Sequence, residues 1–152
     1  MKKVLFVCLG NICRSPLAEA IFNEKIKQKG LSNQFKADSA GTANYHVGEQ
    51  PDQRSIDISL SHDVPIDHKG QQFKKRLASQ FDYLVAMDNS NLQNMISEIG
   101  SKPSFLFLMR DFDPDGKGLD VPDPYYGGLN GFENVYQILD RSIEELIVYL
   151  NE

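Results

Sequence analysis

The sequence predicts an α/β domain built on a parallel sheet, and three observations carry that prediction. Short apolar runs bounded by turn residues, at 4–7 and 83–86, have the length and composition of buried strands. Segments with helical start and stop signals alternate with such runs along the chain. A stripe of Phe132, Val135, Tyr136, Leu139, Ile143, Leu146, Ile147 and Leu150 keeps helical spacing over about five turns. Strands alternating with helices imply right-handed crossovers, and ligands in such sheets bind beyond the carboxyl ends of the strands.

In chain order, the first strand at 4–7 runs into a turn at Gly10 and Asn11. Pro16 at a first helical position, with Ser15 before it as N-cap, opens a helix over about 16–29 that Gly30 stops. Leu17, Ala18, Ile21 and Phe22 supply its apolar side. Residues 35–40 read as a second strand ending at Gly41. The stretch 55–61 alternates Ile56, Ile58 and Leu60 as a strand would, but capping by Asp52 favours a short helix. A short helix is expected at 73–77, a strand at 83–86, a helix capped by Asp88 or Asn89 running to about Ile99, and a fourth strand at 105–109. The final helix is expected to pack rather than to do chemistry. No repeat, low-complexity stretch or linker divides the chain, so residues 1–152 read as one domain.

A chain of 152 residues buries about 70% of its unfolded surface, enough for one core without a metal or disulfide framework. Its two cysteines, Cys8 and Cys13, are too few for a disulfide scaffold and lack the second ligand pair of a zinc site. A reducing compartment is expected. Lys2 and Lys3 precede an apolar run that stops at Leu9 without a small-residue cleavage site, and no stretch approaches the roughly 18 apolar residues of a membrane span. A cytoplasmic protein with no membrane association is therefore expected. The net charge is −5, with five aspartates between Asp111 and Asp123, which argues against nucleic-acid binding. Those from Asp111 to Asp120 read as a solvated turn without calcium-loop spacing, and His46 and His62 as exposed. An anionic substrate would have to be captured by a local site.

Such a site is readable at Cys8-Leu9-Gly10-Asn11-Ile12-Cys13-Arg14-Ser15, between the first strand and the first helix. A thiol is a useful nucleophile as thiolate, which needs nearby positive potential from an Arg, inward N–H groups or a helix N-terminus. Gly10 and Asn11 tolerate positive φ, which lets successive N–H groups from Leu9, Gly10, Asn11, Ile12 and Cys13 curl around one anion. Arg14 adds a planar fork for two phosphate oxygens. The segment is not a Walker-type loop, because no Gly-Lys-Ser/Thr closes it. Cys13 reads either as a small apolar residue under the loop or as a redox partner that condenses with an oxidised Cys8. A proton donor for an aryl-oxide leaving group is readable at Asp123, between Pro122 and Pro124 and followed by Tyr125, Tyr126, Gly127 and Gly128.

From Cys-x5-Arg-Ser near the start to Asp-Pro-Tyr-Tyr near the end, the chain resembles the low-molecular-weight protein tyrosine phosphatases over essentially its whole length. Asp38-Ser39-Ala40-Gly41-Thr42, Asp82-Tyr83, Met87-Asp88-Asn89-Ser90-Asn91-Leu92 and Phe132-Glu133 match between. The resemblance implies a three-layer domain with a four-stranded parallel sheet, order 2-1-3-4, flanked by helices on both faces. It also implies metal-free, cofactor-free hydrolysis of phosphotyrosine or small aryl phosphates through a cysteinyl-phosphate, and inhibition by phosphate-like oxyanions. Cys8 then resembles the nucleophile, Arg14 the clamp, Asp123 the general acid, and Ser15 the hydroxyl that stabilises the departing thiolate. Asn11 resembles a left-handed loop residue held by Ser39, and His68 the histidine that orients the Ser15 hydroxyl. Leu9, Ile12, Tyr45, Tyr125 and Tyr126 are the candidates for an aromatic substrate's rim, where the family often carries Trp at the position of Tyr45.

Three other readings compete for such a loop. Protein arginine phosphatases of the same fold usually place Thr at Ile12 and Phe at Tyr125, and arsenate reductases need cysteines beyond the loop, which are absent after Cys13. The presence of Cys8, Arg14 and Asp123 together weighs against a phosphopeptide-binding module that keeps the anion cradle without turnover.

Overall fold

The computed structural model describes residues 1–125 and 128–152, with 128 and 129 described by backbone only. Four parallel strands, β1 (Lys2–Cys8), β2 (Phe35–Gly41), β3 (Tyr83–Ala86) and β4 (Leu106–Leu108), pair in the order β2-β1-β3-β4. Among the described residues five α-helices accompany them: α1 (Arg14–Gln28), α2 (Gln53–Ser61), α3 (Lys75–Ala78), α4 (Asn89–Ile99) and α5 (Gly128–Leu150). The fold is the α/β, 2-1-3-4 arrangement expected from the sequence.

Strand alternation builds the layers. On β1, Val4, Phe6 and Cys8 point to one core with α1 and α5, whereas Leu5 and Val7 point to the other with Phe73, Leu92 and Met95. Because β1 is covered on both faces, its apolar run is continuous rather than alternating. Phe6 meets Phe22 of α1 edge-on at 5.8 Å. The connection from β1 goes to β2 on one side, and the one from β2 returns past β1 to β3 on the other, so a crevice opens at the carboxyl end of β1. Cys8 is the last residue of that strand.

Several local expectations are corrected. Helix α1 begins at Arg14, with Cys13 at the N-cap position, so Ser15 lies inside the first turn and caps nothing. Pro16 is accommodated there because first-turn N–H groups have no intrahelical acceptor. Phe73 belongs to an extended segment: Gln72 bridges Gly41, and Phe73 N donates to Gly41 O at 2.6 Å, which delays α3 to Lys75. Strand β4 covers three residues, after which Met109–Phe112 turns as a 3-10 helix. The ambiguous 55–61 segment is helical, with the Asp52 side chain accepting from Arg54 N, and Asp88 caps α4.

The acidic stretch is not uniformly solvated. Asp113 is buried and receives Arg110 Nε at 2.9 Å and Arg141 Nε at 2.8 Å. Burial alone would raise its carboxyl, but bonds from Arg141, the Asp115 N–H and Arg110 outweigh burial and hold it below the usual carboxylate range. Nor are His46 and His62 fully exposed: His46 pairs with Glu49, and His62 stacks on Tyr136 at 3.9 Å while facing Glu133. No helix among the described residues is long and apolar enough to cross a membrane.

Candidate active site

A pocket of about 200 Å³ opens at the carboxyl end of β1, lined by Cys8, Leu9, Gly10, Ile12, Cys13, Arg14, Tyr45, His46, Asp123 and Tyr125. The candidate nucleophile, clamp, acid and rim therefore converge from three separate segments. Tyr126, the remaining rim candidate, lies outside the described residues.

The cradle is shaped by one backbone conformation. Asn11 has φ of 56°, in the left-handed region, and its N–H turns toward the Cys8 sulfur at 3.3 Å. Its side chain fixes that turn: Nδ2 donates to Ser15 Oγ at 2.8 Å and to Ser39 Oγ at 3.0 Å, while Oδ1 accepts from Gln71 N at 3.0 Å. His68 Nε2 stands 2.7 Å from the same Oδ1 and therefore donates to it. Its Nδ1 faces Glu19 at 3.0 Å. His68 thus meets Asn11 rather than Ser15, so any orientation of the hydroxyl passes through the amide.

Cys8 Sγ lies 3.0 Å from Ser15 Oγ. That hydroxyl accepts from Asn11, which leaves its single hydrogen to be shared between Cys8 and the Ala40 carbonyl at 3.3 Å. Close packing behind the loop comes from β2. A Cβ at Gly41 would stand 2.8 Å from Leu9 O and 3.0 Å from Gly10 C, so the absence of a side chain lets the loop approach.

Arg14 is almost fully buried. One edge of its guanidinium is anchored, with Nη1 donating to Asp88 at 2.7 Å and to the Val121 carbonyl at 2.9 Å. Nη2 lies 3.7 Å from Asp123. Burial alone would lower its pKa, but Cys8, Asp88 and Asp123 together raise it, so the group stays charged. Asp123 in turn accepts from Tyr125 N at 3.0 Å. Burial, reinforced by Asp52 and Cys8, pushes the Cys13 thiol up to about 12. Both cysteines are free and buried.

Sequence reasoning missed Asp88 as the anchor of Arg14, Gln71 and Glu19 behind the loop, and His46 in the pocket wall. The position of Asp88 immediately after β3 was the available signal, since strand ends on this side face the crevice. Arg54 was missed as well. Its guanidinium grips Asp52 through two bonds, at 3.0 and 2.9 Å, and lies over the rings of Tyr125 and Phe132 at 5.4 and 4.7 Å.

The chain matches the family described as low molecular weight phosphotyrosine protein phosphatase over residues 3–152. It is 44% identical over 135 residues to the protein of that description from Saccharomyces cerevisiae, covering 86% of this chain and 83% of the other. A protein tyrosine phosphatase from Entamoeba histolytica, solved with Hepes in the active site, superposes with a TM-score of 0.93 at 40% identity, covering 99% and 97% of the two chains. A Drosophila arginine phosphatase superposes with a TM-score of 0.89 at 32% identity, covering 100% and 99%. With fold, length and sequence agreeing across these relatives, the chain belongs to the low molecular weight phosphotyrosine protein phosphatase family and is a phosphatase.

Proposed function

We propose that the protein hydrolyses phosphotyrosine in proteins, and small aryl phosphates, through a cysteinyl-phosphate intermediate formed on Cys8. The observation that carries this reading is the Cys8 sulfur, 3.3 Å from the Asn11 N–H and 3.0 Å from the Ser15 hydroxyl, in the same pocket as Arg14 and Asp123. The Asn11 N–H and the Ser15 hydroxyl stand at the sulfur, while the other loop N–H groups and Arg14 would hold the equatorial oxygens of a transferring phosphoryl group. Arg14 is pre-oriented by Asp88 and Val121, which leaves its other edge for the phosphate.

In the first step Cys8 Sγ attacks phosphorus, the P–O bond to the aryl oxygen breaks, and protonated Asp123 gives its proton to the leaving oxygen. In the second step Asp123 takes a proton from water, whose oxygen attacks phosphorus and expels the Cys8 thiolate. Ser15 donates its hydrogen to that departing sulfur. The same carboxyl acts as acid and then base, so the rate has a bell-shaped pH dependence. Leu9, Ile12, Tyr45 and Tyr125 supply the apolar wall for the ring. The same cradle binds phosphate-like oxyanions as competitive inhibitors; Hepes, held in the Entamoeba active site, carries a sulfonate. Two free thiols suit a reducing, cytoplasmic setting. Peroxide would oxidise Cys8 to a sulfenic acid, which would condense with the Cys13 thiol, the thiol proton leaving with the sulfenic hydroxyl as water and a protective disulfide closing.

The likeness to the Drosophila arginine phosphatase favours phosphoarginine as the second reading. Ile12 and Tyr125 argue for an aromatic ring instead. Release of phenol from phenyl phosphate in the presence of a chelator, alongside phosphotyrosine and phosphoarginine peptides, separates these. Turnover of the aryl ester and the phosphotyrosine peptide is expected; turnover confined to phosphoarginine overturns the substrate assignment, and binding without turnover overturns the mechanism.

A further inference from the structure

Leu9 and Tyr45, both exposed, form a ridge shared by two depressions. On one side lies the catalytic pocket. On the other lies a groove of about 360 Å³, bounded by Thr42, Gln72 and Lys74 and by the outer face of α4 at Asn94, Ser97 and Glu98. The side chains of Lys74, Asn94 and Ser97 make no hydrogen bond to another described residue, so the groove presents polar groups open to a ligand.

A cationic run stands at the edge of this groove. The chain carries a net charge of −5, yet Lys74, Lys75 and Arg76 stand consecutively and exposed, and none of the three side chains pairs with a carboxylate among the described residues. Glu98, on the groove wall, accepts from the Lys75 backbone N–H at 3.1 Å. Lys74 on the groove wall, followed at once by the exposed Lys75 and Arg76, outnumbers with them the one carboxylate of that wall, Glu98, so this end of the groove is complementary to an acidic ligand.

We propose that this groove binds the polypeptide flanking the phosphotyrosine, with acidic side chains of the substrate meeting Lys74, Lys75 and Arg76. The inference rests on the phosphotyrosine reading and adds a sequence preference to it. The phosphorylated ring enters the pocket, and its chain crosses Leu9 and Tyr45 into the groove. A small aryl phosphate never reaches that far.

The test compares kcat/KM for p-nitrophenyl phosphate, for a phosphotyrosine peptide flanked by Asp and Glu, and for the same peptide with Asn and Gln in their place. The wild-type protein is expected to favour the acidic peptide by about tenfold at low salt, with the preference shrinking as salt rises. The triple variant Lys74→Gln, Lys75→Gln, Arg76→Gln levels the two peptides and leaves p-nitrophenyl phosphate unchanged. Asn94→Trp, which narrows the groove, slows both peptides but not the small ester. Wild type that turns over all three substrates without distinguishing the peptides overturns the inference while the phosphatase reading stands, as does a triple variant that keeps the wild-type preference. Wild type inert toward all three overturns both.

Discussion

Cys8 and Asn11 show how few atoms organise the site. Asn11 places its N–H at the sulfur through a left-handed φ, and its amide reaches Ser15, Ser39 and His68 at once. Replacing Asn11 with Ala removes those bonds and leaves a Cβ residue in a conformation that costs about 1–2 kcal/mol. Asn11→Ala is therefore expected to slow alkylation of Cys8 by iodoacetate about tenfold, with Cys13 unlabelled in either protein because burial keeps it a thiol. Mass spectrometry of the labelled peptide reads both outcomes, and equal labelling of Cys8 and Cys13 would contradict this electrostatic picture. For the acid, Asp123→Ala is expected to slow phenyl phosphate far more than p-nitrophenyl phosphate, whose leaving group needs no proton. Equal losses would remove Asp123 from that role.

Helix α2 and its cap couple the cradle to the loop that carries the acid. The Asp52 N–H donates to Ile12 O at 2.8 Å, its carboxylate holds Arg54, and Arg54 lies over Tyr125, two residues from Asp123. Hydrogen bonds from Arg54 hold the Asp52 carboxyl below its usual range. Arg54→Ala is expected to lower kcat about fivefold on phenyl phosphate and little on p-nitrophenyl phosphate, since it displaces the acid and not the nucleophile. Steady-state rates on the two esters check this. These couplings explain what the sequence could and could not reveal. The loop was legible because nucleophile, nest and clamp are contiguous from Cys8 to Arg14. Asp88, Gln71, Glu19 and Arg54 were not, because sheet order brings them to the site from distant positions. Ser15 misled as a helix cap: Ser-Pro usually marks the step into a helix, but here the hydroxyl is taken by Cys8, Asn11 and Ala40.

Across the fold, a parallel sheet with a core on each face was the easiest feature to foresee, since each apolar run needed two covered faces and the α5 stripe needed a core, which it shares with β1 and α1; the strand order came with the family resemblance. The ion cluster on Asp113 was hidden for the opposite reason. An acidic run looks solvated unless its cations are known, and Arg141 comes from α5, remote in sequence. Asp113→Ala is expected to destabilise the protein by about 2–3 kcal/mol, because Arg110 loses its carboxylate in a largely buried position. Urea unfolding measures that cost. A carboxyl held lower in the folded state than in the unfolded chain contributes stability above its unfolded value and loses it as pH falls through its folded value. The wild-type advantage over Asp113→Ala should accordingly be full at neutral pH and shrink in acid. An advantage that is independent of pH would show that the cluster holds the fold by packing alone.

The covalent step can be examined on the protein itself. Wild-type enzyme mixed with excess p-nitrophenyl phosphate, quenched within milliseconds and digested, should yield one phosphorylated peptide with the phosphate on Cys8. Ser15→Ala should yield more of it, because expulsion of the sulfur is slowed. Phosphate found on another residue, or no phosphopeptide while p-nitrophenol is released in a burst, would contradict attack by Cys8.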